Sequence, residues 1–584
     1  MKRFTEYIYR EWIGPYIDCQ VDLQTVQPVT FIRNDEKSTE KGLDTAVVIG
    51  GSIAGLTTAS ILSKYFKKVY LVDKASIPEG FESYVKHTHG EQPHAIPNRF
   101  YEIIDRLYPG FSAKDILGKL HELYRLNSEV EPNCSLKYMF KGLRVSDSTH
   151  IKRRSCVMVS RGFVEAQFRN RVMKEAKNIV FLNGYTLSSS DIELKAEIEK
   201  GSKQAVRVSG VTLRTLDCGC LKHLPCDLLV NCAGNGSLPL IHSIEQKIKS
   251  DILKTHNKEH IVTKSMIECK VRYQTIFFEP KEEAYDEHGN VVIHCVGNTR
   301  EELTEKRQSG DPYKMVYHFL VYPRQKGILI LPYDNNQFMI TLTSAFDSHD
   351  RSEKLLLKDI DTTNAKEKIM EYFQDMPEIV SDLEVVLPKF KDQAVRVLPP
   401  FDKLGNVIYH YENLNHVSGF VTIGDAVASL NPIYGQGLCL AAEAVLVFEK
   451  HIREALSENS DQYLWSSSFC NKFQTNLYKS YFVPWILATS GDLMYDFSKY
   501  SNDMSWHKLL SPFLFFLNGK MFQAANRYSW GTEYLLRVVL TEYGYRKALF
   551  DMKWLLLYVL WDETKMFLVG LGAISCLCSL YQYF

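Results

Sequence analysis

The chain has no excess of charge of either sign: 69 Lys and Arg stand against 69 Asp and Glu. Such a balance gives no long-range field toward the phosphates of nucleic acid, so no nucleic acid is expected as a partner. Low-complexity tracts and internal repeats are absent, and so is a paired cysteine framework. The 13 cysteines are scattered through 584 residues, several of them in apolar runs (Cys232, Cys439). They read as reduced core residues of a cytosol-facing protein. The N-terminal stretch "MKRFTEYIYREWIGPY" carries charges throughout and no apolar centre, so no signal peptide is expected.

Metal-ligand spacing is also lacking. "CGCLKHLPCDLLVNC" contains Cys218, Cys220, Cys226 and Cys232, yet Cys226 and Cys232 bracket a strand-like run that aims them variously, a poor match to zinc. His87, His89 and His94 sit in a loop with Gly90, Pro93 and Pro97 and no suitably spaced acid. No metal is expected there; an ordering role near a cofactor suits His94 better.

What is present is a globular composition, 45% hydrophobic and 24% charged, in a chain long enough for one very large domain or two to three smaller ones. "TAVVIGGSIAGLTTASILSKYFKKVYLVDK" (residues 45–74) reads strand, tight glycine turn, helix, strand, acid. Its unbroken apolar run predicts a parallel strand buried on both faces. Gly50 permits the turn, and Gly55 lets the helix pack closely on the sheet. The helix N-terminus offers unpaired N–H groups to a pyrophosphate. Asp73 closes the second strand, where a carboxylate accepts from ribose hydroxyls. Ser52 stands where the usual pattern has its second glycine. The terminal carboxylate favours FAD or NAD over NADP at this site.

A second stretch, "CDLLVNCAGNGSLP", is a strand ending in small residues, including Gly234, that bring backbone close to a ligand or to the glycine turn. "VSRGFVEAQFRNRV" supplies Arg161 at a helix start. Glu165, Arg169 and Arg171 on its later turns read as solvated helix faces. A third stretch, "GFVTIGDAVASLNPIYGQGLCLAAEA", delivers Asp425 from a strand into a loop with Gly435, Gln436 and Gly437, then a small-residue helix from Leu438. Between the second and third lie β-rich runs, roughly 261–346, that predict an antiparallel sheet. That sheet would roof a substrate cavity. Tyr273, Tyr317 and His318 are among the side chains that could line it.

The apolar "WLLLYVLW" (554–561) is followed by the charged break "DETK" and then by "MFLVGLGAISCLCSLYQYF" (566–584), which has no charged residue. About 18–20 apolar residues suffice to span a bilayer. A span, a helix dipping into one leaflet and a buried helix all fit this run. The aromatics Trp554, Tyr558, Trp561, Tyr581 and Tyr583 suit an interface belt. "LLSPFLFFL" (509–517) adds a second exposed-looking apolar stretch. Membrane association through the C-terminus is therefore expected, with the catalytic part facing the cytosol, as at the endoplasmic reticulum.

Taken in order, "VVIGGSIAGL", "SRGFVEAQFRNRV", "DLLVNCAGNGS" and "YHYENLNHVSGFVTIGDAVASLNPIYGQGLCLAAEA" resemble FAD-dependent monooxygenases of the para-hydroxybenzoate hydroxylase type. The nearest resemblance is to a branch whose first motif reads GGSxAGL and whose last reads GDAxxxxNPxYGQG; squalene epoxidases look like more distant relatives. The resemblance implies an α/β fold. A Rossmann-like FAD-binding domain (44–260, resuming at 347–455) would carry an inserted antiparallel substrate domain (261–346), after an extension (1–43) and before a helical, membrane-associated region (456–584). It places Gly50, Gly51, Ser52 and Gly55 at the FAD pyrophosphate and Asp73 at the adenosine ribose. Arg161 would approach the phosphates or ribityl chain, and Asp425 would accept from ribityl hydroxyls. Gly435, Gln436, Gly437 and Leu438 would present backbone N–H groups to the flavin, with Gly234 in the middle motif.

That middle motif departs from the family, since Asn231 stands where a carboxylate is usual, and the reductant is left as NADPH or NADH. The implied reaction is hydroxylation or epoxidation of a hydrophobic, terpenoid- or polyketide-like molecule with O₂. A flavin reductase or desaturase without oxygen insertion is the alternative, and a non-catalytic membrane-bound FAD protein is a third reading. No side chain is singled out as a catalytic acid or base.

Overall fold

The apolar run Ala46, Val47 and Val48 is wholly buried, as a strand covered on both faces must be. It belongs to β1 (Leu43–Ile49) at the centre of a five-stranded sheet. The computed structural model describes residues 21, 25–29, 43–75, 92, 94, 96, 98–117, 136–140, 143–145, 160–187, 191–199, 203–234, 238–254, 260–284, 315–318, 323–333, 337–346, 359–403, 405–457 and 465–527. The N-terminal stretch, His87, His89 and the apolar runs 554–561 and 566–584 lie outside the described residues. The architecture is mixed α/β, and the chain divides into two compact units.

The first unit comprises Met1–Leu126, Val159–Met266 and Asn406–Trp485. After β1 come helix α1 (Ile53–Leu62), β2 (Phe66–Asp73), α2 (Asn98–Leu107), α3 (Arg161–Glu175) and β3 (Ile179–Asn183). Later in the chain, β4 (Leu228–Asn231), β5 (Phe420–Thr422) and α4 (Gly437–Ser457) complete the frame. The sheet order is β5-β4-β1-β2-β3, and every neighbouring pair is parallel. Register pairs Ile49 with Asn231, Asn231 with Thr422, and Asp73 with Asn183, so the carboxyl ends of the strands share one edge.

Helix α1 is buried from Ile53 to Leu62 except at Ala54. Its polar side chains turn back on their own helix: Thr57 Oγ1 donates to Ile53 O and Ser60 Oγ to Leu56 O, both at 2.7 Å. An all-round buried helix has no solvent face to reserve for charge, which explains its small, neutral sequence. A second sheet in this unit is built on Lys203–Thr215, paired antiparallel with Ile192–Glu199 and Leu221–Pro225. In the turn after it, Cys218 and Cys220 form a disulfide, which corrects the reading of all cysteines as reduced. The two residues flank Gly219 (φ +68°) in a tight turn that holds their Cα atoms 5.4 Å apart. Cys226, Cys232 and Cys470 are free, and burial pushes each of these thiols up to about 12. They are packing residues at neutral pH.

The second unit comprises Asn127–Met158, Ile267–Gly405 and Ile486–Phe584. Strand Lys270–Phe278 pairs antiparallel with Phe338–Phe346 over nine residues, and Phe338–Phe346 with Lys326–Pro332. One face of this sheet (Ile276, Phe278, Ile340, Leu342) is covered by Ile369, Phe373, Leu383 and Phe390 from the helices and turn that follow. That packing places 359–403 with the antiparallel sheet, whereas the sequence reading returned 347–455 to the cofactor domain. The sheet also gains Leu136–Phe140, parallel to Met315–His318, from chain far upstream. Tyr273 is buried with its ring 6.2 Å from that of Phe401. The side chains of Tyr317 and His318 are outside the described residues.

Helix Ser505–Arg527 buries His507, Ser511 and Phe515 at intervals of four, while Leu509 is exposed. The stretch at 509–517 is thus apolar on both a packed and an open side. Among the described residues, no helix is long and apolar enough to cross a membrane.

Two buried imidazoles set an acid limit on stability. Burial pulls both His451 and His507 down from 6.5 to about 4. The unfolded chain then binds more protons than the folded one between those values, so stability is full above about 6.5 and declines as pH falls toward 4. The thermal midpoint is expected to drop across that window. His507→Gln should flatten the pH dependence, which melts at half-unit pH steps will show.

Candidate functional site

Three glycines at the end of β1 are dictated by space. Gly50 adopts φ +102°, and its N–H donates to Val72 O at 2.8 Å. A Cβ there would lie 2.5 Å from Cys232 O at the end of β4. On Gly51 it would lie 2.7 Å from Asp73 Oδ2, the oxygen to which the Gly51 N–H donates at 2.6 Å. On Gly55 it would lie 1.7 Å from Gly50 O, an impossible contact with backbone. The second Asp73 oxygen accepts from Ala75 N–H at 2.7 Å, so the carboxylate is locked across the turn. Ser52 is the N-cap of α1, but its side chain does not cap it. The first-turn amides are therefore left without a side-chain acceptor.

The Ser52 hydroxyl is used elsewhere. It donates to Glu165 Oε1 at 2.5 Å and accepts from Arg161 Nη2 at 2.8 Å. Arg161 Nε reaches the same carboxylate oxygen at 2.8 Å, and its Nη1 lies 3.2 Å from His94 Nε2. Arg169 Nη2 donates to Gly51 O at 3.1 Å. Glu165 and Arg169 are buried, which corrects their assignment to a solvated face. Arg171 is half-buried and paired with Asp115 at 2.7 Å and with Glu175. The reason is that α3 runs beneath the glycine turn, so its inward positions face backbone rather than water. Burial works against the Glu165 carboxylate, but Arg161, Ser52 and Arg169 outweigh it and hold Glu165 below the usual carboxylate range. Burial lowers Arg169 despite the attraction of Glu165 and Asp73.

The other half of the constellation comes from β4, β5 and α4. Gly424 (φ +75°) would place a Cβ 3.0 Å from Ala54 Cβ, which brings the β5 exit against the start of α1. Asp425 follows, exposed. A Cβ on Gly234 would stand 3.9 Å from Asp425 Cβ, and one on Gly437 3.9 Å from Asp425 Oδ1. Arg161 feels both Glu165 and Asp425; despite burial their charges hold its guanidinium above the ordinary value. Gly435 adopts φ +64° with open space beside it, Gln436 Oε1 is buried without a partner, and Leu438 is buried at the start of α4. Asn231 is fully buried, its Oδ1 accepting from Ala233 N–H at 3.2 Å and its Nδ2 unpartnered.

The residues singled out in sequence thus fall on one edge of one sheet, in two groups. Gly50, Gly51, Ser52, Gly55, Asp73 and Arg161 form the first; Gly234, Asp425, Gly435, Gln436, Gly437 and Leu438 form the second. Glu165 is the participant that sequence reasoning missed. Its signal was the four-residue spacing from Arg161, on a helix capped by Ser160 Oγ accepting from Phe163 N–H at 3.0 Å. The chemistry offered at this edge is anion binding by uncapped amides beside carboxylates that accept from hydroxyls.

Steric demand separates the glycines. Gly55→Ala is expected to destabilise the chain by about 1–3 kcal/mol or more through backbone overlap. Gly435→Ala has room and should cost only about 1–2 kcal/mol for its left-handed backbone. Denaturant melts of the two variants will rank them.

No family model matches the chain. A 201-residue stretch is 27% identical to Protein Rv3254 of Mycobacterium tuberculosis, spanning 33% of this chain and 38% of that protein. Among solved structures, the chain is similar to pqsL of Pseudomonas aeruginosa, described as a probable FAD-dependent monooxygenase, at 14% identity and TM-score 0.42. The similarity covers 78% of this chain and 95% of that one. It is similar to a flavoprotein/dehydrogenase of Cytophaga hutchinsonii at 12% identity and TM-score 0.44, over 85% and 92% of the two chains. The halogenase PltM gives 12% identity and TM-score 0.45, over 86% and 84%.

Proposed function

We propose that this chain is a FAD-dependent oxidoreductase of the monooxygenase kind, with a Rossmann-like cofactor domain in the first unit. The carrying observation is the convergence of an uncapped helix N-terminus, the Asp73 carboxylate and Asp425 along the carboxyl edge of the parallel sheet. The residues present fit a dinucleotide. Gly50, Gly51 and Gly55 let strand, turn, Asp73 and helix close on one another with no side chain between them, and the uncapped amides of α1 suit a pyrophosphate. Asp73 keeps lone pairs on both oxygens for ribose hydroxyls. Asp425, Gly234 and the start of α4 would hold the flavin end, where a helix N-terminus favours negative charge. The unpartnered Asn231 and Gln436 side chains stand at the same edge with hydrogen-bonding capacity to spare.

Bound FAD would supply the redox chemistry: with two electrons from NADPH or NADH, one oxygen atom of O₂ would go to substrate and the other would leave as water. Arg161, held by Glu165 and Ser52, would offer a fixed cation to the phosphates. A hydrophobic small molecule is the substrate this reading favours, supported by the apolar runs at 554–561 and 566–584, which would dock the protein on a membrane.

Gly437→Val is the discriminating variant. Its Cβ meets nothing nearer than 3.9 Å, so the fold should survive, while the added bulk blocks the amides of α4. The expected result is an unchanged melt with flavin content reduced at least tenfold; full flavin content would overturn the assignment of α4 to the cofactor. Purified wild type mixed anaerobically with NADPH or NADH should bleach at 450 nm (about the flavin maximum), and lipid-extract fractions should stimulate oxygen uptake. Bleaching without substrate-coupled oxygen uptake would identify a reductase or desaturase instead. Deleting 554–584 should release the protein from membranes in a flotation assay.

A further inference from the structure

Away from the cofactor edge, the first unit carries a cluster that the sequence reading passed over. His242 and Glu245 lie on the helix Leu238–Ile248, three residues apart and so on one face. His260 comes from the chain beyond that helix. One ligand-capable atom from each of the three lies within 4.8 Å of the others. Glu245 is only 1% exposed, whereas both imidazoles are exposed. Its Oε1 accepts from Val262 N–H at 2.7 Å, and its Oε2 lies 2.8 Å from His260 Nδ1. His242 Nε2 is 2.8 Å from Gln246 Nε2, a contact in which the amide donates and the imidazole nitrogen accepts, so the Gln246 side chain must turn away before that lone pair can bind an ion. The two rings stand 5.8 Å apart between centroids.

We infer that His242, Glu245 and His260 form a binding site for a divalent transition metal of the zinc class. A carboxylate this deeply buried needs a positive charge nearby, and among the described residues no Lys or Arg pairs with Glu245. A metal ion supplies it. It takes the place of the proton shared between His260 Nδ1 and Glu245 Oε2, with a lone pair of His242 as third ligand and water completing a tetrahedron. Two imidazoles and one carboxylate are a donor set that zinc and cobalt accept, and the exposed imidazoles leave the ion an open approach. The site ties helix Leu238–Ile248 to the chain at 260–262. No part of it belongs to the cofactor edge, so it stands whatever the flavin reading.

The test uses full-length, untagged protein, stripped with chelator and reduced. Titration with Co²⁺ should give visible ligand-field absorption saturating at one equivalent, and Zn²⁺ should displace it. His242→Ala, an exposed position where loss of fold is not at issue, should weaken Zn²⁺ binding by about a hundredfold as one ligand is lost. Glu245→Gln should abolish the cobalt spectrum, and Zn²⁺ should raise the melting temperature of wild type but not of His242→Ala. A cobalt spectrum saturating at one equivalent in His242→Ala as in wild type, or wild type that takes up no metal at one equivalent, would overturn the site and leave a buried carboxylate–imidazole pair.

Discussion

The carbonyl oxygen of Gly50 occupies the space in which a side chain at residue 55 would begin. That single contact governs the first unit. Only a glycine at 55 lets helix α1 start so close to the strand it leaves, and only then can its uncapped amides face the carboxyl edge of the sheet. Gly50 repeats the demand against Cys232 O, so β4 can lie beside β1 with its own exit at the same level. The turn is narrow because three backbone segments meet there without side chains between them.

Charge then fixes what space has brought together. Asp73, Arg161, Glu165 and Arg169 surround the turn, and all but Arg161 are nearly or fully buried. Burial works against the charges of Arg161, Glu165 and Arg169; their mutual attraction and the Ser52 hydroxyl outweigh it at Glu165 and Arg161, while at Arg169 burial prevails. Removing one member leaves its partner's charge exposed to a low-dielectric interior, a larger penalty than the pair is worth. The network therefore acts as a unit, and its geometry is set before any ligand arrives. The second unit shows the opposite economy. Its sheet presents an apolar face to the helices at 365–386, while the other face carries Tyr273, Thr275, Thr341 and Thr343, with Thr275 and Thr341 hydroxyls 3.0 Å apart.

Much of this was legible in residues close together in sequence. The strand–turn–helix–strand run at 45–74, the antiparallel runs near 270 and 340, and the strand into Asp425 all follow from period and glycine placement. Less legible were groups joined by long excursions of chain. Glu165 reads as an ordinary charged helix position until Ser52 is found against it. Residues 359–403 read as a return to the first unit until Ile369, Phe373 and Leu383 are seen on the antiparallel sheet. The disulfide of Cys218 and Cys220 depends on a turn that composition does not reveal.

By itself the sequence determined the backbone demands: where glycine must stand, which strands are buried on both faces, and which acids end them. Those are local, because they arise from sterics within a few residues and from hydrophobic period. Only the tertiary structure decided which charges are buried, which imidazoles share a carboxylate, and which helices cover which sheet. Burial and pairing depend on neighbours dozens to hundreds of residues away, and a charged side chain looks the same in sequence whether water or a guanidinium waits beside it.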